Sequence, residues 1–198
     1  MLVTIIYAYL LKTIFFLNAE IFQQNIGDKM TIGLTDKGYK TVELRCGPES
    51  MVVDLETEDE FQGIIYTRGS FYSKETPCFQ DIDDERAQKL FKIEIPFDKC
   101  DTIKKGNIYS NVLVLQHDKE LIMPGDAAFS LECDFSEPRD VTLTADMQSV
   151  YAVASRITLI DADPAKPIRK INKVATFESY TNSVVITSDS LRRRREEL

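Results

Sequence analysis

Tryptophan is absent from this chain, and histidine occurs once, as His117. No two of its four cysteines form a Cys-x-x-Cys pair. Each shortage excludes something. Histidine-based catalysis has a single candidate. Without Cys-x-x-Cys, the usual zinc-ligand and thiol-redox spacings are missing. Asn-x-Ser/Thr does not occur, so no N-glycan is expected. Positive charge is in deficit, with 24 Lys+Arg against 32 Asp+Glu and a formal net charge of −8. An acidic surface repels phosphate backbones, which argues against nucleic acid as a partner. Beyond the N-terminus no stretch approaches the ~20 apolar residues of a transmembrane helix, so no membrane tether is read here.

What is present suits one globular domain with extensions: 198 residues, 43% hydrophobic and 28% charged. The start, MLVTIIYAYLLKTIFFLNAE, is strongly apolar and ends in small residues at Asn18-Ala19. It reads as a secretory signal peptide over 1–19. The competing readings are an uncleaved anchor and a buried strand or helix. Lys12 argues against a membrane span, because a charge at mid-bilayer is costly. A mixed leader with Gly27, Gly33 and Gly38 follows over 20–40.

From Thr41 the pattern is β. TVELRC (41–46) and MVVDLET (51–57) alternate apolar and polar residues, as half-buried strands do. GPES between them is turn chemistry. FQGIIYTRG (61–69) reads as a third strand. DIDDERAQKL (81–90) is charged, with room for a turn or two of helix. FKIEIPF (91–97) alternates, and its Pro96 places the strand at an edge or ends it. IYSNVLVLQHD (108–118), AAFSLECDF (127–135) and VTLTADM (141–147) continue the series. Strands at this spacing predict an all-β sandwich or barrel, and about seven in about 100 residues is the size of an immunoglobulin-like sandwich. RITLID (156–161) and VATFESYTNSVVIT (174–187) offer further strands, separated by the Pro-containing loop DADPAKPIRK. The chain thus divides into a sandwich over 41–137, an extension over 138–187 and a basic tail over 188–198.

Cys46, Cys78, Cys100 and Cys133 form an even set behind a signal-like start, which reads as two disulfides. The competing reading is four reduced, buried thiols. Four cysteines allow three connectivities, and counting leaves all three open. A nested arrangement would join the first strand to the last of the domain and close the charged insert separately.

These residues carry a resemblance. CGPESMVVDLETEDEFQGIIYTRG, then Cys78, KIEIPFDKC, NVLVLQHD and DAAFSLECDF resemble the N-terminal half of a zona pellucida (ZP) domain, in particular the cuticlin-like ZP proteins of invertebrate cuticles. The matching pieces are Cys46-Gly47-Pro48, Phe61-x-Gly63-x-x-Tyr66, Pro96-Phe97-Asp98-x-Cys100 and the strand from Asp126 to Cys133. The resemblance covers roughly 41–137. It implies an immunoglobulin-like ZP-N module with disulfides Cys46–Cys133 and Cys78–Cys100. The departure from the family is the second ZP module, whose cysteines have no counterpart after Cys133.

Three other features could carry chemistry. Arg192, Arg193, Arg194 and Arg195 before Glu196 are what a furin-like protease reads, since acidic pockets pair guanidinium groups; the other reading is a solvated charged tail. His117-Asp118 fails as a catalytic pair, because adjacent strand residues point to opposite faces. The clusters Glu56-Glu58-Asp59-Glu60 and Asp81-Asp83-Asp84-Glu85 lack the glycine-turned Ca²⁺ loop and read as solvated loops. No catalytic residue, metal ligand, cofactor or small-molecule substrate is assigned. The expectation is a secreted, non-enzymatic structural protein of an extracellular matrix or cuticle. Its partners would be itself or other ZP-type matrix proteins, associating through exposed strand edges. The alternative is an extracellular recognition module that binds a protein partner without polymerising.

Overall fold

A computed structural model describes residues 35, 37–136, 153–164 and 176–196, the side chains of Asp84 and 194–196 excepted. The signal peptide read over 1–19, most of the leader, the strand read over 141–147 and the latter part of the Pro-containing loop lie outside the described residues.

Alternation builds the first sheet. β1 (Tyr39–Cys46), β2 (Ser50–Phe61) and β5 (Gln88–Pro96) are antiparallel neighbours, and β11 (Ser183–Thr187) pairs with β1, giving the order β11-β1-β2-β5. The register lines up the inward residues in rows. Val42, Leu55 and Phe91 form one row, Leu44, Val53 and Ile93 the next, and Cys46, Met51 and Ile95 the third. All nine are buried. β1 begins two residues before the expected start, because Tyr39 is fully buried and meets Phe129 edge-on at 5.0 Å between ring centres.

The second sheet comprises β3 (Gly63–Thr67), β4 (Phe79–Ile82), β7 (Ile108–Gln116), β8 (Ala127–Asp134), β9 (Ala154–Ile160) and β10 (Thr176–Ser179), in the order β10-β9-β8-β7-β3-β4. β6 (Ile103–Lys105) pairs with the start of β7. Leu113, Leu115, Phe129, Leu131, Ile157 and Leu159 belong to the same buried cluster as the rows above. The fold is thus the all-β sandwich expected. Strands β9, β10 and β11 come from the segment read as an extension, and they pair into both sheets.

Three elements differ from the sequence reading. FQGIIYTRG is not one strand: Phe61 ends β2 and Gly63 begins β3. The charged stretch 81–90 forms no α-helix; it holds the end of β4, a single 3-10 turn at Asp84–Arg86 and the start of β5. The basic tail contains a helix, α1 (Ser188–Glu196). Pro96 is the last residue of an edge strand, so both expectations for it hold.

β3 is buried at all five positions because the outer face of its sheet is also covered. Ile64, Tyr66, Phe79, Val114, Ala128 and Ile160 form a second cluster, with Phe71 and Ile122 packed against it. Within it the Tyr66 hydroxyl donates to Gln116 Oε1 at 2.7 Å, and burial pushes its phenol up to about 12.

Candidate functional site

The outer disulfide joins one sheet to the other, and the inner one links the segment before β4 to the turn after β5. Cys46 ends β1 and Cys133 lies in β8, with Cα atoms 5.8 Å apart at a sequence separation of 87. Cys78 precedes β4 and Cys100 follows β5, with Cα atoms 5.1 Å apart across 22 residues. The backbone around the inner bridge is anchored as well. The Cys78 carbonyl accepts from Thr67 N at 2.9 Å, and the Cys100 carbonyl accepts from Asn111 Nδ2 at 2.9 Å. Asn111 Nδ2 also donates to Thr102 Oγ1. The turn that terminates β5 is therefore pinned to β3 and β7 of the opposite sheet. Sequence spacing alone does not reveal this, because Asn111 sits mid-strand and looks like any polar residue. No thiol remains free.

Among the described strands, β4, β5, β10 and β11 end the two sheets, and the three-residue β6 pairs with β7 alone. β4 and β10 have four residues each and β11 has five, whereas β5 has nine. A strand at the end of a sheet has backbone N–H and C=O groups with no ladder partner on its outer side. Short edges limit that exposure; β5 does not. On the side away from β5, β10 and β11 are consecutive strands of opposite sheets, so the chain itself turns the corner there.

Outward residues of the first sheet form a polar lattice that ends at β5. Thr41, Glu56 and Leu90 are aligned, as are Glu43, Asp54 and Lys92, and then Arg45, Val52 and Glu94. Lys40 pairs with Glu56 at 2.8 Å, Arg45 pairs with Asp54, and Ser183 Oγ donates to Glu43 at 2.9 Å. The hydrogen bond to Glu56 holds the Lys40 ammonium above its usual range. Leu90 interrupts this lattice: it is 68% exposed, and it borders a shallow depression of about 320 Å³ together with Glu56 and Lys92.

The remaining candidates have other partners. His117 does not pair with Asp118. Its Nδ1 lies 2.9 Å from Oδ1 of the buried Asp126, which also accepts from His117 N at 2.9 Å, while Asp126 Oδ2 accepts from Met123 N at 2.7 Å. Asp126 thus fastens the loop between β7 and β8. Asp118 accepts from Glu120 N and Leu121 N, which hold its carboxyl below the usual range. Members of the acidic clusters are drawn into separate ion pairs: Glu56 with Lys40, Glu58 with Arg192, Asp81 with Lys119 and Asp83 with Arg86. Among the described residues, no three His, Cys, Asp or Glu side chains converge as a metal site. Among them, too, no helix is long and apolar enough to cross a membrane.

Residues 41–135 match the family model described as the cuticlin N-terminal domain. Cuticlin-1 of Caenorhabditis elegans is 26% identical over 144 residues, which cover 64% of this chain and 33% of that protein. Cuticlin-3 of the same organism is 27% identical over 112 residues, covering 54% of this chain and 27% of that protein. The match therefore spans a third or less of the length of these two curated relatives. No solved structure matches the chain.

Proposed function

The chain is homologous to the cuticlins, and from that premise we propose that it is a secreted structural protein of a cuticle or similar extracellular matrix. Its mechanism is association with copies of itself, or with other matrix proteins of ZP type, through the open edge of the sandwich. No step of chemistry is part of this reading. The observation that carries it is β5, a nine-residue edge strand whose terminal turn is fixed by a disulfide and by Asn111. An edge held in one geometry adds a strand from another molecule through main-chain hydrogen bonds, and its side chains select which strand fits. Lys89, Lys92 and Glu94 on this edge discourage indiscriminate pairing, while Leu90 supplies one apolar contact.

Extracellular placement is supported by the cysteines. All four are engaged in disulfides, which persist in oxidising compartments and are rare in the cytosol. The test is sedimentation velocity and electron microscopy of the purified, oxidised protein at rising concentration. Large, concentration-dependent species with filaments are expected. A protein that stays monomeric at high concentration and binds a single defined partner would support the recognition-module reading instead.

A further inference from the structure

Hydrogen-bond parity decides which backbone groups of β5 face outward. Phe97 N donates to the Glu49 carbonyl at 3.0 Å, and the Lys89 carbonyl accepts from Thr57 Oγ1 at 3.3 Å. Odd-numbered residues at both ends of the strand thus turn their backbone toward β2. Antiparallel ladders alternate hydrogen-bonded and non-hydrogen-bonded pairs. Phe91, Ile93 and Ile95 therefore bond to their register partners Leu55, Val53 and Met51, while Leu90, Lys92 and Glu94 turn N–H and C=O away from the sheet. Pro96 falls on the outward parity, where the N–H it lacks is not needed by β2.

The outward residues also carry a charge pattern. Lys92 and Glu94 are both exposed, and among the described residues neither has an ion-pair partner; Glu94 accepts from Ser50 Oγ at 3.1 Å. Two copies of β5 laid antiparallel, Ile93 facing Ile93, set Lys92 of each against Glu94 of the other. In that register Lys92 and Glu94 exchange both main-chain bonds, Leu90 N meets the Pro96 carbonyl, and the buried and exposed faces stay continuous. The neighbouring registers of the same parity set Lys92 against Lys92 or Glu94 against Glu94, and like charges directly opposite are destabilising. We infer that β5 is self-complementary, and that two copies of this chain join through it into a closed two-fold dimer that merges their first sheets. A contact made by the same surface on both subunits ends with the pair, so the dimer withdraws β5 from growth. The inference rests on the reading of β5 as the accepting edge and names its resting occupant: a filament grows from copies whose β5 has been released.

Sedimentation velocity of the purified, oxidised protein over a range of concentrations reads the dimer. Lys92→Glu sets carboxylate against carboxylate, and Glu94→Lys sets ammonium against ammonium. Each should weaken dimerisation at least about tenfold, because the two-fold axis counts every change twice. Mixing the two variants restores opposite charges at both positions, so together they should form a heterodimer. The double variant, with both changes in one chain, should dimerise by itself. Circular dichroism checks that each variant keeps its strands; if a single variant does not, the double variant decides. Single variants that dimerise like wild type, or a mixture and a double variant that stay monomeric, would overturn the pairing. Filaments from a protein whose Lys92→Glu variant sediments unchanged would overturn the dimer and leave edge growth standing. A wild type that stops at the dimer at every concentration would support the pairing and overturn filament growth.

Discussion

Gly63 shows how one residue sets the path between two sheets. It has φ of +147°, and a Cβ there would lie 2.3 Å from the Gln116 carbonyl oxygen and 2.9 Å from Phe61 Cζ. Only glycine fits where the chain leaves β2 and enters β3. Gly63→Ala combines backbone strain with a clash against a neighbouring strand, and should cost about 2–3 kcal/mol in urea unfolding. Two residues on from Ile64, Tyr66 makes a different prediction. Its folded pKa, about 12, lies above the ordinary value of 10.0, so between those values the unfolded chain releases a proton that the folded chain retains. Stability from this group is complete below about pH 10 and is lost as pH rises through its folded pKa. Tyr66→Phe should flatten that alkaline loss in thermal melts, while leaving the Gln116 Oε1 acceptor without its 2.7 Å donor. A variant that loses stability with pH as steeply as wild type would count against it.

At the scale of elements, the two bridges differ in the chain they close. On the loop-entropy model the outer loop of 87 residues contributes about 4–5 kcal/mol and the inner loop of 22 about 3. The outer figure approaches the whole stability of many small domains. Cys46→Ser with Cys133→Ser should therefore abolish a cooperative urea transition or move it to very low denaturant. Cys78→Ser with Cys100→Ser should leave a folded sandwich with a lower midpoint. Alternation makes β1, β2, β5 and β8 legible in the sequence, because each has one face in the core and one in water. β3 is legible only as an apolar run, since Phe71 and Ile122 cover its outer face and erase the period. α1 is not legible as a helix. Four arginines look like a solvated tail, and the signals that order it are a single buried leucine and a Thr-Ser cap. Strand alternation separates His117 from Asp118, but its partner Asp126 is nine residues away across a loop, beyond the reach of local spacing.

At the scale of the whole molecule, the described strands are asymmetric in what they leave open. One side is turned by β10 and β11, consecutive in the chain and lying in opposite sheets, while the other ends in the long strand β5. On the proposed reading, growth by strand addition has a direction, with β5 as the site that accepts. A contact made through different surfaces on the two partners propagates into a filament unless its rotation closes a ring. Leu90 is the residue with which to test this. It is 68% exposed, so changing it leaves the core rows of Phe91, Ile93 and Ile95 untouched and should alter monomer stability by no more than about 0.5 kcal/mol. Leu90→Glu puts a carboxylate beside Glu56 on the adjacent strand, at the point where an added strand would pack. The midpoint of concentration-dependent sedimentation should rise at least about tenfold, equivalent to about 1.4 kcal/mol of association free energy. The monomer's stability in urea unfolding should fall by no more than about 0.5 kcal/mol, the cost of an exposed like-charge pair with Glu56. If Leu90→Glu assembles at the wild-type concentration, β5 is not the accepting edge; β4 and β6, short edges of the second sheet, become the surfaces to mutate next.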